Sequence, residues 1–335
     1  MADISVSRDR KAGRITLTRP KALNALNHDM AVAIHAALDE WRDDPSVDLV
    51  IIDAEGDKAF CAGGDIAAIY HAAKAGDHDL GRRFFADEYQ MNAAIRDYPK
   101  PIAAFLQGFV MGGGVGIGGH ASHRIVGDTT KVAMPETAIG MIPDVGGTWL
   151  LAHAPGRIGE YLGLTGNRMG AGDAIHAGFA DLYLPEGDWD ATKDLLAATG
   201  DIGRLNGRKP PPAPLEFADL SAFGGRSVAD ILEALEAAGD ENALQPMRRN
   251  SPLSMAATLA MVRSARGDRR MQESLSREDR FTYRATEDGE FIEGVRAQII
   301  DKDRNPDWQA PADAAKVGQM LASLGPDELK WESER

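Results

Sequence analysis

The alternation of short apolar runs with helical periodicity is the feature that most limits how this chain can fold. Apolar and polar residues alternate around Ile15 and Leu17, which predicts a strand, and apolar residues between Ala31 and Trp41 recur at helical spacing. The run DLVIIDA (residues 48–54) is rich in β-branched residues and predicts a strand buried on both faces. Strands and helices interleaved in this way predict an α/β fold.

The rest of the chain divides into a continuation of this pattern and a helical tail. Further strands are predicted at residues 102–106, 124–126, 131–134 and 182–184. The proline run KPPPAP (residues 209–214) favours extended backbone, so it marks the clearest boundary. Beyond it, residues 229–238 and 252–266 are rich in Ala, Leu and Met at helical spacing. We therefore predict a core domain over residues 1–208 and a mainly helical region over residues 209–335.

Charge and composition exclude several classes of partner. The chain has 37 basic and 51 acidic residues, a net charge of −14, and no long block of Lys and Arg, so no nucleic-acid partner is predicted. The single cysteine, Cys61, cannot form an internal disulfide. The start MADISVSRDRKAG has no apolar stretch, so we expect a cytoplasmic protein. The least polar stretch (residues 101–119) is rich in glycine and contains Gln107, which argues against a membrane-spanning helix.

A first candidate site is the loop FCAGGDI (residues 60–66), which follows a predicted strand and opens a helix at Asp65. Unpaired backbone N–H groups at a helix start can bind an anion or a developing oxyanion, and glycine lets a ligand approach closely. The alternative is an ordinary strand-to-helix turn. Cys61 is either a nucleophile or a small buried apolar residue, and no histidine partner is evident.

A second candidate is the loop VMGGGVGIGGH (residues 110–120). Its glycines match G-x-G-x-x-G at Gly114, Gly116 and Gly119, with Glu136 20 residues after Gly116, as in dinucleotide sites. The match is weak, because the segment does not open a domain and the next strand follows too soon for a crossover helix. Close helix packing, or a second set of N–H donors, explains these glycines equally well.

The third candidate is the pair of carboxylates in AMPETAIGMIPDVGG (residues 133–147). Glu136 and Asp144 lie eight residues apart among apolar residues, where desolvation would raise a carboxyl pKa towards the range of acid–base catalysis. The alternative is that each acid caps a short helix. No metal site is predicted, because His120 and His123 lack further well-spaced ligands. No serine lies in G-x-S-x-G, so a serine-hydrolase elbow is absent.

These segments resemble the crotonase, or enoyl-CoA hydratase/isomerase, superfamily. The general resemblance lies in RPKALNALN (residues 19–27), AFCAGGDI (59–66), MGGGVG (111–116) and the Pro135–Glu136 region. Within the superfamily the chain is similar to the 3-hydroxyisobutyryl-CoA hydrolases. That similarity lies in FFADEYQMN (84–92), AMPETAIGMIPDVGG (133–147), YLGLTGNR (161–168), NSPLS (250–254) and FIEGVRAQIIDKDRNPDW (291–308).

The resemblance implies a fold and a set of residue roles. The implied fold is a crotonase-like spiral of ββα units followed by a helical C-terminal region. Gly64 and Gly113 are implied to be the N–H donors of an oxyanion hole, and Glu136 a catalytic glutamate. Asp144 replaces a glycine of typical hydratases and is the hydrolase-like feature.

Substrate contacts are implied as well. Glu88 is similar to an acid that binds the substrate 3-hydroxyl in the hydrolases. The segment of Lys21, Ala22 and Leu23 resembles the part of the superfamily that contacts adenine. The CoA phosphates need local cations, for which Arg19, Lys21 and Lys58 are the candidates; the alternative is that these are solvated surface charges.

The implied function is hydrolysis of the thioester of 3-hydroxyisobutyryl-CoA in valine catabolism, with 3-hydroxypropionyl-CoA as a further candidate. Hydratases use a second glutamate at the position of Gly116, so hydration is expected to be impaired. Glu136 either attacks the thioester to form a mixed anhydride or activates water. The alternatives are an enoyl-CoA hydratase/isomerase and a non-catalytic acyl-CoA-binding protein.

The resemblance also bears on cofactors and assembly. CoA is part of the substrate, and no metal or redox cofactor is implied. Crotonase relatives are often trimers or hexamers, which allows a homo-oligomer, but the extended C-terminal region could cover the assembling surface.

Overall fold

The computed structural model describes residues 3–310 and 312–331. They form two compact units, each built from three segments of the chain. The first unit comprises the chain through Gly64, Asp87–Ala133 and Arg168–Phe217. The second comprises Asp65–Ala86, Met134–Asn167 and the chain from Ala218 onward. The predicted division at residues 208 and 209 is a division along the sequence, and it stays a prediction; the first unit continues past that point to Phe217.

All strands of the described residues lie in the first unit. They are β1 (Ile4–Asp9), β2 (Ala12–Leu17), β3 (Leu49–Ala54), β4 (Ala59–Cys61), β5 (Ile102–Leu106), β6 (Phe109–Met111), β7 (His123–Val126), β8 (Lys131–Ala133) and β9 (Leu182–Tyr183). One sheet has six strands in the order β1-β2-β3-β5-β7-β9, and a smaller sheet has the order β4-β6-β8. Among the strand pairs of the described residues, only β1–β2 is antiparallel.

Successive strands from β3 to β9 alternate between the two sheets. A strand of the large sheet is followed by one of the small sheet, and helical segments then lead back to the large sheet. This is the predicted spiral of ββα units, so the expected α/β fold class is confirmed. The strands predicted around Ile15 and at residues 48–54, 102–106, 124–126, 131–134 and 182–184 are also confirmed, to within one residue at most ends.

The helices connect these strands and form the C-terminal region. They are α1 (His28–Arg42), α2 (Ile66–Lys74), α3 (Asp79–Arg96), α4 (Gly113–Gly118), α5 (Gly147–His153), α6 (Ile158–Thr165), α7 (Ala171–His176), α8 (Trp189–Thr199), α9 (Val228–Ala238), α10 (Glu241–Met247), α11 (Pro252–Ala265), α12 (Met271–Ala285), α13 (Phe291–Val295) and α14 (Ala314–Met320). The predictions of helices between Ala31 and Trp41, after Asp65, and at residues 229–238 and 252–266 are confirmed. Among the described residues, no helix combines the length and the hydropathy needed to cross a bilayer.

Local sequence explains where individual helices begin. The side chain of Asn27 accepts a hydrogen bond from the Met30 N–H, which satisfies a free donor at the start of α1. Ser227 and Asp230 form a capping box at the start of α9, and this helix ends at Gly239 in the left-handed conformation.

The core of the first unit packs one face of the large sheet against α8. Leu49 and Ile51 of β3 lie in this core, while Val50 and Ile52 are buried on the other face. The rings of Phe105 and Trp189 pack edge-to-face, with their centroids 5.3 Å apart. The prediction that this central strand is buried on both faces is therefore confirmed.

The core of the second unit is formed by helices alone. Apolar side chains of α6, α9, α10 and α11, among them Leu164, Ile231, Leu244 and Leu259, make one buried cluster with Phe223 of the 3₁₀ turn Ser221–Gly224. Phe223 also packs edge-to-face on Tyr161, with ring centroids 5.4 Å apart.

Gly13 in β2 leaves no room for a side chain, so we predict that Gly13→Ala destabilises the protein. A Cβ atom there would lie 2.3 Å from Cε3 of Trp41, a fully buried ring that has little freedom to move. Overpacking of this kind costs about 1–3 kcal/mol. Urea unfolding should show a midpoint clearly below that of wild type.

The control is Gly318→Ala, because a Cβ atom at this position in α14 meets nothing within 4 Å. This change should leave stability unchanged or raise it by up to about 1 kcal/mol, since alanine favours helix. Equal midpoints for the two variants would contradict the close contact between Gly13 and Trp41.

Candidate active site

The two predicted glycine loops follow neighbouring parallel strands. β4 pairs with β6 in the small sheet, and residues 62–64 and Gly112 come directly after these strands. A Cβ atom on Gly113 would lie 3.6 Å from the carbonyl carbon of Gly63, so the two loops are in contact. Because parallel strands end at the same edge of a sheet, the backbones of Gly64 and Gly113 lie side by side there.

Close packing explains much of the second glycine run. A Cβ atom on Gly114 would lie 2.2 Å from the carbonyl oxygen of Cys61, so the start of α4 packs directly on the backbone of β4. α4 ends at Gly118 and β7 begins at His123, which leaves no crossover helix of the length found in dinucleotide-binding units. The structure therefore favours the packing interpretation of G-x-G-x-x-G.

Glu88 lies against the second glycine loop. It is carried by α3, is 2% exposed, and its Oε1 lies 2.8 Å from the position that a Cβ atom on Gly113 would take. A side chain at position 113 would therefore collide with this carboxylate. The structure thus brings together two of the predicted site residues.

The segment of Lys21, Ala22 and Leu23 lies beside the first glycine loop. The Ala62 N–H donates to the Leu23 carbonyl (3.1 Å), and the Leu26 N–H donates to the Gly63 carbonyl (2.9 Å). These two bonds tie the predicted adenine-contacting segment to the loop that carries Gly64.

The three candidate cations differ in their surroundings. The Arg19 guanidinium donates to the carbonyl oxygen of Ala25 at 2.7 Å and lies 3.4 Å from the carboxylate of Asp3. Lys21 and Lys58 are exposed. Arg19 is therefore engaged within the protein, and the two lysines are the more accessible cations.

In the second unit, Glu136 begins a 3₁₀ turn, Glu136–Ile139, and is buried. The neighbouring Thr137 anchors this turn, because its carbonyl accepts from the Ser251 N–H (2.9 Å) and its hydroxyl from the Asn250 side chain (3.0 Å). Sequence analysis gave Asn250 and Ser251 no role. The segment NSPLS was part of the family resemblance, but its residues alone predict no more than a helix start.

Sequence analysis also missed Glu290, a buried residue that bonds to Ser251. Its carboxylate accepts from the Ser251 hydroxyl at 2.6 Å and from the Ala310 N–H at 2.8 Å. Its backbone lies so close to Gly140, which has φ +71°, that a Cβ atom there would be 2.4 Å from the Glu290 carbonyl oxygen. The turn that begins at Glu136 is therefore fixed at both ends by distant parts of the chain.

Asp144 is buried just before α5, at the start of an unusual turn. The Gly147 N–H donates to the Asp144 carbonyl at 2.6 Å, and the two residues between them, Val145 and Gly146, have φ angles of +54° and +77°. The residue at the cap position of α5 is Gly146, and Pro135 takes that position before Glu136. Neither acid occupies a cap position, but Glu136 lies in the first turn of a short helix, as the helix-start interpretation placed it, whereas Asp144 lies outside α5.

A further carboxylate, Glu278 of α12, holds the turn after Asp144. Glu278 accepts from the N–H groups of Gly146 (2.7 Å) and Thr148 (3.0 Å), and from the Thr148 hydroxyl. Burial raises the pKa of Glu278 to about 8; the hydrogen bonds from Thr148 and Gly146 lower it, and the charge of Asp144 raises it further. Sequence analysis missed this residue, since SREDR (residues 276–280) has the composition of a solvated helix face.

Cys61 is buried, and its surroundings suppress its reactivity. Burial raises the pKa of the Cys61 thiol to about 12, and the nearby charge of Glu88 also raises it. Since the thiolate is the reactive form, this thiol is unsuited to act as a nucleophile near neutral pH. The interpretation of Cys61 as a small buried apolar residue is confirmed.

Comparisons with known proteins give the family and the fold that this chain shares. Residues 12–323 match the family model described as enoyl-CoA hydratase/isomerase. The mitochondrial 3-hydroxyisobutyryl-CoA hydrolase of Xenopus tropicalis is 40% identical over 95% of this chain and 88% of its own length. Two solved structures are also similar. An enoyl-CoA hydratase from Rhodobacter sphaeroides has a TM-score of 0.95 and 50% identity, covering 98% of this chain and 100% of its own. A carnitinyl-CoA dehydratase from Mycobacterium thermoresistibile has a TM-score of 0.94 and 40% identity, covering 100% of both chains.

We predict that Cys61 of the folded protein reacts very slowly with Ellman's reagent at pH 8. With a pKa of about 12, only about one thiol in 10⁴ is ionised at that pH, and the side chain is also buried. Because the chain contains one cysteine, unfolding in guanidinium should release one equivalent of colour. Rapid, complete labelling of the folded protein would contradict the burial of this thiol.

Proposed function

Because this chain belongs to the enoyl-CoA hydratase/isomerase family, we propose that it hydrolyses the thioester of 3-hydroxyisobutyryl-CoA to CoA and the free hydroxy acid. The observation that carries this proposal is the 40% identity, over 95% of the chain, with a relative named 3-hydroxyisobutyryl-CoA hydrolase. We propose that this activity serves valine degradation, with 3-hydroxypropionyl-CoA as a second candidate substrate.

The N–H groups of Gly64 and Gly113 polarise the thioester carbonyl in this proposal. The contact between their two loops at one edge of the small sheet supports the pairing of these donors. Donors of this kind act on the charge that develops on the carbonyl oxygen, and each contributes about 3–4 kcal/mol to lowering the barrier.

Glu136 and Asp144 carry out the chemical step in this proposal. The carbonyl carbon gains a bond to oxygen and loses its bond to sulfur, and the CoA thiolate that leaves takes up a proton. Glu136 either attacks the carbonyl carbon to form a mixed anhydride, which water then hydrolyses to release the hydroxy acid and restore the carboxylate, or it removes a proton from a water molecule that attacks the thioester directly. Asp144 orients the water molecule and takes part in proton transfer. Both acids are buried, which supports these roles because desolvation makes a carboxylate more basic and more nucleophilic.

Glu88 binds the 3-hydroxyl of the acyl group in this proposal, and the segment of Lys21, Ala22 and Leu23 contacts the adenine of CoA. The contact of Glu88 with the loop of Gly113 supports its role, because a hydroxyl near the thioester carbonyl would lie within reach. No metal or redox cofactor takes part. The cytoplasmic location and a homo-oligomeric state both stay predictions.

The second candidate function is enoyl-CoA hydration. It is favoured by the 50% identity with a solved structure titled enoyl-CoA hydratase. It is opposed by Gly116, a buried glycine of α4 where the family resemblance leads us to expect the second glutamate of a hydratase. Hydrolysis releases a free thiol and hydration does not, so one assay separates the two functions.

We predict that wild type releases thiol from 3-hydroxyisobutyryl-CoA, and that Glu136→Gln and Asp144→Asn each lower kcat by about 10²–10⁴-fold, the usual contribution of proton transfer. Both amides keep the shape of the acid and remove its charge. Thiol release is followed with Ellman's reagent, and loss of the crotonyl-CoA double bond is followed in parallel. Hydration of crotonyl-CoA without any thiol release would assign the enzyme to the hydratases.

We predict that Glu88→Gln lowers the selectivity for the hydroxylated substrate. A hydrogen bond to a charged group is worth about 1.5–3 kcal/mol, so kcat/KM for 3-hydroxyisobutyryl-CoA should fall by about 10- to 100-fold relative to that for isobutyryl-CoA. The control is Asp87→Asn on the same helix, whose exposed carboxylate pairs with His28 at 2.6 Å. A uniform loss on both substrates would argue against a contact between Glu88 and the hydroxyl.

A further inference from the structure

The turn after Asp144 has a backbone conformation that needs outside support. Val145 and Gly146 are two successive residues with φ between +54° and +77°, and Val145 is a β-branched residue, which seldom adopts such angles. Residues in sparsely populated conformations persist where the surrounding structure holds them. Asp144 is the residue at the start of this turn. The direction in which its side chain points therefore depends on the conformation of the turn.

Glu278 supplies that support from a distant part of the sequence. Its Oε2 accepts from the Gly146 N–H at 2.7 Å, and its Oε1 accepts from the N–H of Thr148 at 3.0 Å and from the Thr148 hydroxyl. Gly146 and Thr148 follow Val145 in the chain. Both carboxylate oxygens of Glu278 therefore hold the C-terminal side of the turn. The side chain is fully buried, so water cannot replace these bonds.

The charge of Asp144 also acts on Glu278. Burial raises the pKa of Glu278 to about 8, and the charge of Asp144 is among the causes that raise it further. A buried acid beside another acid is costly to keep for stability alone. We therefore expect that Glu278 is needed to fix the geometry of the site.

We propose that Glu278 positions Asp144. Glu278 accepts hydrogen bonds from the N–H groups of Gly146 and Thr148, which holds the Val145–Gly146 turn and so fixes the position of the Asp144 carboxylate. The inference rests on the proposed function, in which Asp144 acts on the thioester. Glu278 itself does not touch the substrate. It acts through the backbone, and its loss should impair turnover more than binding.

The first test is Glu278→Gln, measured by thiol release from 3-hydroxyisobutyryl-CoA. Glutamine keeps the size of the side chain, but its amide nitrogen donates and cannot accept, so at least one N–H of the turn loses its partner. We expect kcat to fall by about 10²-fold with KM unchanged, as a displacement of about 1 Å at a catalytic group can produce. A wild-type kcat in a folded variant would overturn the proposal.

The matched control is Glu160→Gln. Glu160 is also fully buried and lies in the same unit, where it pairs with Arg157 and Arg266 at 2.7 Å each. This change should lower the melting temperature and leave the kcat of the folded enzyme unchanged. An equal loss of kcat in both variants would show that any buried charge matters in the same way, which would also overturn the proposal.

A milder pair of variants covers the case in which Glu278→Gln does not fold. Thr148→Val removes the hydroxyl bond to Glu278 and keeps the size of the side chain, whereas Thr148→Ser keeps the hydroxyl and loses a methyl group. We expect kcat to fall by about 10-fold in Thr148→Val, as for the loss of one hydrogen bond, and to recover in Thr148→Ser. The same kcat in both would count against the proposal.

A structural readout separates this inference from the proposed function. Crystal structures of wild type and of Glu278→Gln, or of Thr148→Val, should show a displaced Asp144 carboxylate in the variant. Absence of thiol release in wild type would overturn the proposed hydrolysis, while the position of Asp144 would still decide the role of Glu278. An Asp144 that does not move would overturn that role, whatever the activity.

Discussion

Parallel pairing of two three-residue strands, β4 and β6, is the interaction on which the arrangement of the glycine loops depends. The pairing ends both strands at one edge of the small sheet, and the loops of Gly64 and Gly113 follow there. It also brings α4 so close to β4 that only glycine fits at position 114, against the Cys61 carbonyl. Gly114 therefore serves close packing, and the neighbouring Gly113 is the residue that donates its N–H in the proposed function.

Buried polar contacts between distant segments play the corresponding part in the second unit. Asn250 and Ser251 hold the turn that begins at Glu136, and Glu278 holds the turn that follows Asp144. A polar group removed from water needs a partner, so these bonds are required once the acids are enclosed. In the proposed mechanism this enclosure limits the contact of the two carboxylates with bulk water.

Much of the fold and part of the site could be predicted from the sequence. The buried strand β3 was predicted from its β-branched run and β5 from a short apolar run, and α1 was predicted because its apolar residues recur at helical spacing. β1 was missed because its residues are mostly exposed and polar, and β4 and β6 were missed because their residues were assigned to the glycine-rich loops at 60–66 and 110–120. The glycine loops and the acid pair were found, whereas their remote partners were not.

The sequence by itself determined the α/β class, the positions of the two glycine loops and the spacing of Glu136 and Asp144. These features depend on neighbouring residues, and local patterns of size, polarity and backbone freedom are enough to show them. Only the tertiary structure decided that Glu88 lies against Gly113 and that Glu278 receives the N–H of Gly146 from a position 132 residues away. Such contacts depend on how distant segments are folded together, and a charged residue in a helix has the same local sequence whether it faces water or a buried turn.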